Sequence, residues 1–198
     1  MSHWMLPKAA LVKAEAVADF AMRLGEQMPA SLAELLGVPP PQSGSIDWTS
    51  VERDLGMELP HDYKRFVSSY GAGRIDNFLA IFTLDGPTQW VDLVWRSRDH
   101  DDIFFHRREH HPLFRPYPTP GGLLAFGQTD NGDVLYWRTN DDPSQWTVLI
   151  YEGRGPNFVE FAGSMTSFLK AVLSRRVRVK VFPHDFPSDD PRFAPFRG

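Results

Sequence analysis

Trp48-Thr-Ser-Val-Glu-Arg-Asp-Leu-Gly-Met-Glu-Leu-Pro-His-Asp-Tyr-Lys-Arg-Phe-Val-Ser-Ser-Tyr-Gly-Ala-Gly-Arg-Ile-Asp-Asn-Phe-Leu-Ala-Ile-Phe82 sets out two short helices followed by an extended run. Trp48, Val51 and Leu55 recur at helical spacing and form one apolar face, with Glu52, Arg53 and Asp54 around the rest. Ser45 or Asp47 is placed to cap this helix, and Thr49 with Glu52 offers a capping box one turn further in. Gly56 stands where a helix ends in a left-handed residue. The second helix opens with Pro60 at its first position, where a missing N–H costs nothing, and Asp62 complements the dipole there. Tyr63, Phe66, Val67 and Tyr70 follow at i, i+3, i+4 and i+7, which predicts a buried face. Gly71 and Gly73 break this helix and release an extended run from Ile75 to Phe82. These aromatics read as core, so the chemistry of the stretch is packing and turning rather than catalysis.

The 198 residues suit one domain with extensions, able to bury roughly 70% of its unfolded surface. Hydrophobic residues make up 42% of the chain and aromatic ones 13%, enough for a folded core. The formal net charge of −4 neither demands nor excludes a basic partner, but it argues against a dedicated nucleic-acid binder. The absence of cysteine removes disulfides, thiolate nucleophiles, zinc–cysteine sites and iron–sulfur clusters together, and suits a reducing cytosol. Lys8, Lys13, Glu15 and Asp19 interrupt any apolar signal-peptide core. No stretch approaches the ~20 apolar residues of a membrane span. A soluble, cytoplasmic protein with no membrane partner is expected.

Residues 8–25 read as an amphipathic helix carrying Leu11, Val12, Phe20 and Leu24, and Ser31 to Leu36 as a short piece ended by Gly37. Pro39-Pro40-Pro41 and Gln42-Ser43-Gly44 form a linker. After the opening helices, Asp85-Gly86-Pro87 marks a turn, and Trp90, Val94, Trp95 and Ile103 to Phe105 suit a helical region running to about His110. Leu123 to Asp130 and Asp133 to Arg138 read as strands joined by Asn131-Gly132, the pair favoured by a type I′ turn. A strand from Trp146 to Tyr151, an extended piece around Phe158 to Phe161, and a helix from Met165 to Leu173 capped by Ser164 complete the set. Arg176, Arg178 and Lys180 alternate with Val177, Val179 and Val181, the period of a half-exposed strand with a basic face. Four prolines and four phenylalanines between Phe182 and Phe196 make a tail that either lies across the domain or orders on binding.

The ordered set Trp48, Val51, Glu52, Leu55-Gly56, Leu59-Pro60, Tyr63, Phe66, Tyr70-Gly71 and Gly73 resembles the start of a SUKH-superfamily domain, the Smi-like group named after fungal cell-wall regulators. Phe126-Gly127, Asp130-x-Gly132-Asp133, Tyr136-Trp137 and the closing helix with Phe168 and Leu169 match the same pattern further on. The resemblance implies an α+β fold: a single SUKH-like domain with a mainly antiparallel sheet flanked by helices, spanning 45–174. Residues 1–44 are then a helical extension and proline-rich linker, and 175–198 a basic strand and Pro/Phe-rich tail. Most bacterial members of the group are immunity proteins that neutralise secreted toxins, often nucleases, and need no catalytic group. The fungal relatives imply an alternative, a scaffold or regulator of cell-wall synthesis and signalling.

No constellation contradicts a non-catalytic reading. His106 and His110 share a helix face and, with Glu109, His111, His100 or Asp102, suggest a metal site, but the HExxH arrangement is absent and Arg107 and Arg108 repel a cation. An EF-hand frame around Gly132 would need acids where Gly127 and Arg138 stand, so calcium is not expected. There is no Gly-x-Ser-x-Gly elbow and no phosphate-binding Gly-x-x-x-x-Gly-Lys. Arg96, Arg98, Arg107, Arg108, Arg115 and residues 175–180 raise nucleic acid as a partner, but interspersed acids favour a solvated or salt-bridged surface. No enzyme, metal or cofactor is therefore expected. For an immunity protein facing a basic toxin surface, the candidate partner-binding residues are Asp99, Asp101, Asp102, Asp141, Asp142 and Glu152.

Overall fold

Residues 31–39, 45–84, 88–99, 115, 117–155 and 157–196 are described by the computed structural model. Their helices are α1 (Ala33–Leu36), α2 (Trp48–Leu55), α3 (His61–Tyr70), α4 (residues 93–99) and α5 (Met165–Leu173). The strands are β1 (Gly73–Ile75), β2 (Leu79–Ile81), β3 (Leu123–Thr129), β4 (Val134–Arg138), β5 (Thr147–Tyr151), β6 (Phe158–Phe161) and β7 (Phe193–Pro195). All seven join one antiparallel sheet in the order β6-β5-β4-β3-β2-β1-β7. The fold is α+β, an antiparallel sheet flanked by helices, as the resemblance implies.

The helices α2, α3 and α5 pack on one face of the sheet. Tyr63 of α3 meets Trp137 of β4 edge-on at 4.8 Å between ring centroids, and Trp137 stacks on Phe126 of β3 at 4.6 Å. Phe161 and Phe168 make the corresponding contact between β6 and α5. The Tyr63 hydroxyl donates to the Phe82 carbonyl at 2.7 Å, so the buried ring also closes the backbone just past β2. Burial, with a smaller push from the Asp92 carboxylate, drives the Tyr63 phenol far above its ordinary value, so it stays protonated as a donor. On the other face, α4 lays Arg96 against the Phe82 ring at 5.1 Å, and Ser97 meets the Tyr117 hydroxyl at 3.2 Å.

Local signals worked where capping chemistry was decisive. Asp47 accepts from the Ser50 N–H at the start of α2, and Gly56 ends it at φ 71°. Ser164 caps α5, which runs over the expected residues, and Asp62 of α3 accepts from both the N–H and the hydroxyl of Thr166. Pro60 stands one position earlier than expected, as the residue before α3. Glu52 does not close a capping box. It accepts from the Leu59 N–H at 2.8 Å and pairs with Lys64, tying α2 to α3 across their connection.

Three extended readings need correction. The run from Ile75 to Phe82 is a hairpin: Asp76 and Asn77 take φ of 52° and 53° and turn β1 back into β2. Asp and Asn tolerate this left-handed geometry, but the pair lacks the glycine that flags such a turn. At Asp130-Asn131-Gly132 only Gly132 has positive φ, and its N–H bonds Thr129 O while Thr129 N–H bonds Asp133 O. This is a three-residue loop ending in a left-handed glycine rather than the two-residue type I′ turn. Residues 176–181 form no strand. After Arg175 at φ 59°, the N–H groups of Arg176 and Val177 both return to Ala171 O, so the valines turn inward as a helix terminus. The expected helix over 8–25, the Pro40–Gly44 part of the linker and the Asp85-Gly86-Pro87 turn lie outside the described residues.

The C-terminal segment returns to the sheet. Asp76 accepts from the Ser188 N–H and hydroxyl and from the Arg192 N–H, while its own N–H donates to Arg192 O. Phe78, Phe182 and Phe186 form an aromatic trio beneath this clasp, and β7 then pairs with β1. Phe193 reaches Tyr70 at 5.1 Å, and a Cβ on Gly73 would stand 2.5 Å from Ala194 O and from the Phe193 ring.

Two outcomes follow for stability. Tyr63→Phe removes the buried hydroxyl bond to the Phe82 carbonyl and lowers the unfolding free energy by about 1–3 kcal/mol in urea denaturation; an unchanged midpoint and slope would contradict the role given to this bond. Gly73→Ala costs about 1–3 kcal/mol by overpacking, with loss of amide-exchange protection at Phe193 and Ala194 before β3 to β5. Equal loss throughout the sheet would show that β7 is not the element displaced.

Candidate functional site

Where α2 hands over to α3, the chain builds one wall of a groove. Gly56 N–H closes on Arg53 O and Met57 N–H on Glu52 O, after which the chain extends into Pro60. Leu59 and Pro60 turn inward, so the alternating Glu58 is left exposed. The opposite wall is the loop between β4 and β5. Asp142 accepts from the Ser144 N–H at 2.9 Å and opens a 3-10 turn, Pro143–Gln145. Trp146 is buried beneath this loop, and its indole N–H donates to Asn140 O at 2.7 Å, which fixes the loop to the core. Pro118 and Pro120 close the end, held by backbone bonds between Gly121, Gly122 and Thr139.

The enclosed groove has a volume of about 250 Å³, with Met57, Pro118, Pro120, Pro143 and Trp146 as apolar surface and Glu58 and Asp141 as charged surface. Its described lining contains no lysine, arginine or histidine. A second cavity of about 530 Å³ follows the seam between the β1–β2 turn and the C-terminal clasp, lined by Asp76, Phe78, Asp185, Phe186 and Arg192 among others. The Asp76 carboxylate there is already engaged by the clasp.

The six carboxylates named from sequence occupy different surroundings. Asp141 and Asp142 are exposed at the Arg138/Thr147 end of the β4–β5 pair, and Asp141 lines the groove. Glu152 lies at the other end, beyond Tyr151, where it accepts from Asn157 Nδ2 and its N–H bonds Asn157 O. Asp99, on α4, is half-buried and bonds Arg96 at 3.0 Å. Asp101 and Asp102 lie outside the described residues, as do His100, Glu109 and the histidines at 106, 110 and 111. Sequence reading missed Glu58 and Met57, which follow the helix-ending Gly56. It also placed Trp146 in a strand rather than under a loop.

Arg96, grouped by sequence with the surface cations, is instead 5% exposed. Burial draws its guanidinium below the ordinary value, while Asp99 and Tyr136 act in the opposite direction. Its Nη2 donates to the Gln128 side chain. Asp99 therefore supports a buried cation, and removing one member of such a pair strands the other's charge.

Among the described residues, no group of three or more His, Cys, Asp or Glu side chains is placed to hold a metal ion. No described helix is long and apolar enough to cross a membrane. The described residues form an α+β domain whose aromatic residues are spent mainly on packing. The chain belongs to the SUKH_6 family, described as SMI1-KNR4 cell-wall, which matches residues 46–169. Membership points to a role in protein–protein interaction. Comparisons with curated proteins and with solved structures found no match.

The loop chemistry gives a titration outcome. The Ser144 hydroxyl and then its N–H hold the Asp142 carboxyl below its ordinary value. Its folded value being the lower one, the contribution to stability is present above the unfolded value near ~3.9 and is lost as pH falls through the folded value. A carboxyl-carbon NMR titration is expected to show Asp142 titrating below that value, and Ser144→Ala to bring it part of the way back up, the backbone N–H bond remaining. An Asp142 midpoint unaffected by Ser144→Ala would contradict the part given to the Ser144 hydroxyl, since the backbone cap survives that substitution.

Proposed function

We propose that this protein is a non-catalytic immunity protein that binds a polymorphic or contact-delivered protein toxin and occludes its working surface. The observation that carries the reading is the family match over residues 46–169, which takes in α2, α3 and β1 to β6. An occluding inhibitor needs shape, charge and a rigid frame. The buried aromatic core supports the frame, and exposed carboxylates at the sheet end support the charge. A nuclease toxin suits this reading because a surface that binds phosphate backbone is basic. Acidic residues opposite it would speed encounter, with buried anchors supplying most of the affinity.

The family's cell-wall description favours a second reading, a scaffold of the Smi-like type. The two differ in binding behaviour: an inhibitor forms one tight stoichiometric complex, a scaffold several weaker ones. Capture on the tagged chain from host lysate, at low and high salt, separates them. The expected result is one salt-resistant partner whose isolated C-terminal domain is toxic when expressed alone and harmless when co-expressed with this chain. Several salt-labile partners, none of them toxic, would overturn the immunity reading in favour of the scaffold.

A further inference from the structure

Almost every described carboxylate already has a partner. Arg53 takes Asp54, Lys64 takes Glu52, Arg74 takes Asp130, Arg138 takes Glu160, Arg175 takes Asp189 and Arg192 takes Asp190. Asp47, Asp62, Asp76, Asp92, Asp133 and Asp142 accept from backbone N–H groups. Glu34, Asp99 and Glu152 are hydrogen-bonded as well. Among the described residues this leaves Glu58, Asp141 and Asp185 with no hydrogen bond or ion pair. Two of the three, Glu58 and Asp141, line the same groove from opposite walls.

We infer that this groove seats an arginine side chain carried on a basic segment of the partner protein, an assignment that rests on the protein-binding reading above. Its volume of about 250 Å³ falls below the usual ~300–1,000 Å³ of small-molecule sites and suits a single inserted side chain. Met57, Pro118, Pro120 and Trp146 offer apolar surface to a methylene stem, while Glu58 and Asp141 supply acceptors for a cationic head. Arginine fits this division better than lysine: its guanidinium is planar, weakly hydrated and able to donate to two carboxylates at once. The described lining carries no cation to compete. The walls are braced by the Glu52–Lys64 pair and the Trp146–Asn140 bond, so the backbone that carries the two acceptors is set before a ligand arrives.

The test is a nitrogen-15 NMR titration of the whole chain with the blocked peptide Gly-Ser-Arg-Ser-Gly. The same peptide carrying citrulline, a neutral isostere of arginine, is the control. Saturable shifts are expected at Gly56, Met57, Glu58, Asn140, Asp141 and the Trp146 indole N–H, and none there with citrulline. E58Q/D141N weakens the peptide Kd at least about ten-fold, as loss of charge-assisted bonds requires. Neither carboxylate bonds a described residue, so the variant keeps its other resonances in place. Shifts scattered over other surface acids, no saturable shift at the groove, or equal binding by E58Q/D141N would overturn the assignment. A captured toxin that binds E58Q/D141N as tightly as the parent chain, with peptide shifts away from the groove, refutes the groove and leaves the protein-binding reading standing. Localised shifts abolished by E58Q/D141N, in a chain that captures no toxin, support the groove and refute immunity.

Discussion

Tyr63 joins the helical layer to the sheet by two means at once. Its ring packs against Trp137, and its hydroxyl bonds the Phe82 carbonyl at the end of β2. Breaking a buried hydrogen bond is costly, so α3 has one seat on the sheet rather than a range of them. The position of α2 follows, because Glu52 holds the Leu59 N–H and Lys64 across the connection. Trp137 in turn lies 5.7 Å from Trp146 between ring centroids, and Trp146 fixes the β4–β5 loop through Asn140. The groove at the sheet end thus inherits its shape from the centre of the core.

The same economy governs charge. Most described carboxylates are spent on the fold: they cap helices, clasp the C-terminal segment or hold surface cations. Pairs such as Arg74–Asp130 are partly exposed and contribute little to stability, but they remove acceptors from the surface. What is left unpaired is therefore more informative than the net charge. Glu58 and Asp141 stand at a place the backbone has already made rigid, which is what a recognition surface requires and a folding role does not.

Much of the fold was legible because its elements carry their own boundaries. Gly56, Ser164 and the i, i+3, i+4, i+7 aromatics of α3 fix helix ends and faces by local chemistry alone. Asp76-Asn77 escaped because a glycine-free turn looks like the middle of a strand. Residues 176–181 misled because alternation is also satisfied by a helix terminus whose valines fold back. The return of β7 to the edge of β1 depends on Asp76 and Phe193 meeting partners far away in sequence, which no window of residues displays. The site was less legible still. A run such as Asp141-Asp142 announces exposed charge, but only folding shows that Glu58 faces the same groove and that Asp99 lies against Arg96.

The measurement that separates occlusion from any other mode of action is a titration of the captured toxin domain's own activity with this protein. Occlusion predicts a linear fall that reaches zero at one molecule of protein per toxin domain, with activity recovered when the complex is dissociated. Activity that persists in excess protein, or that is abolished irreversibly by substoichiometric amounts, would contradict a non-catalytic inhibitor.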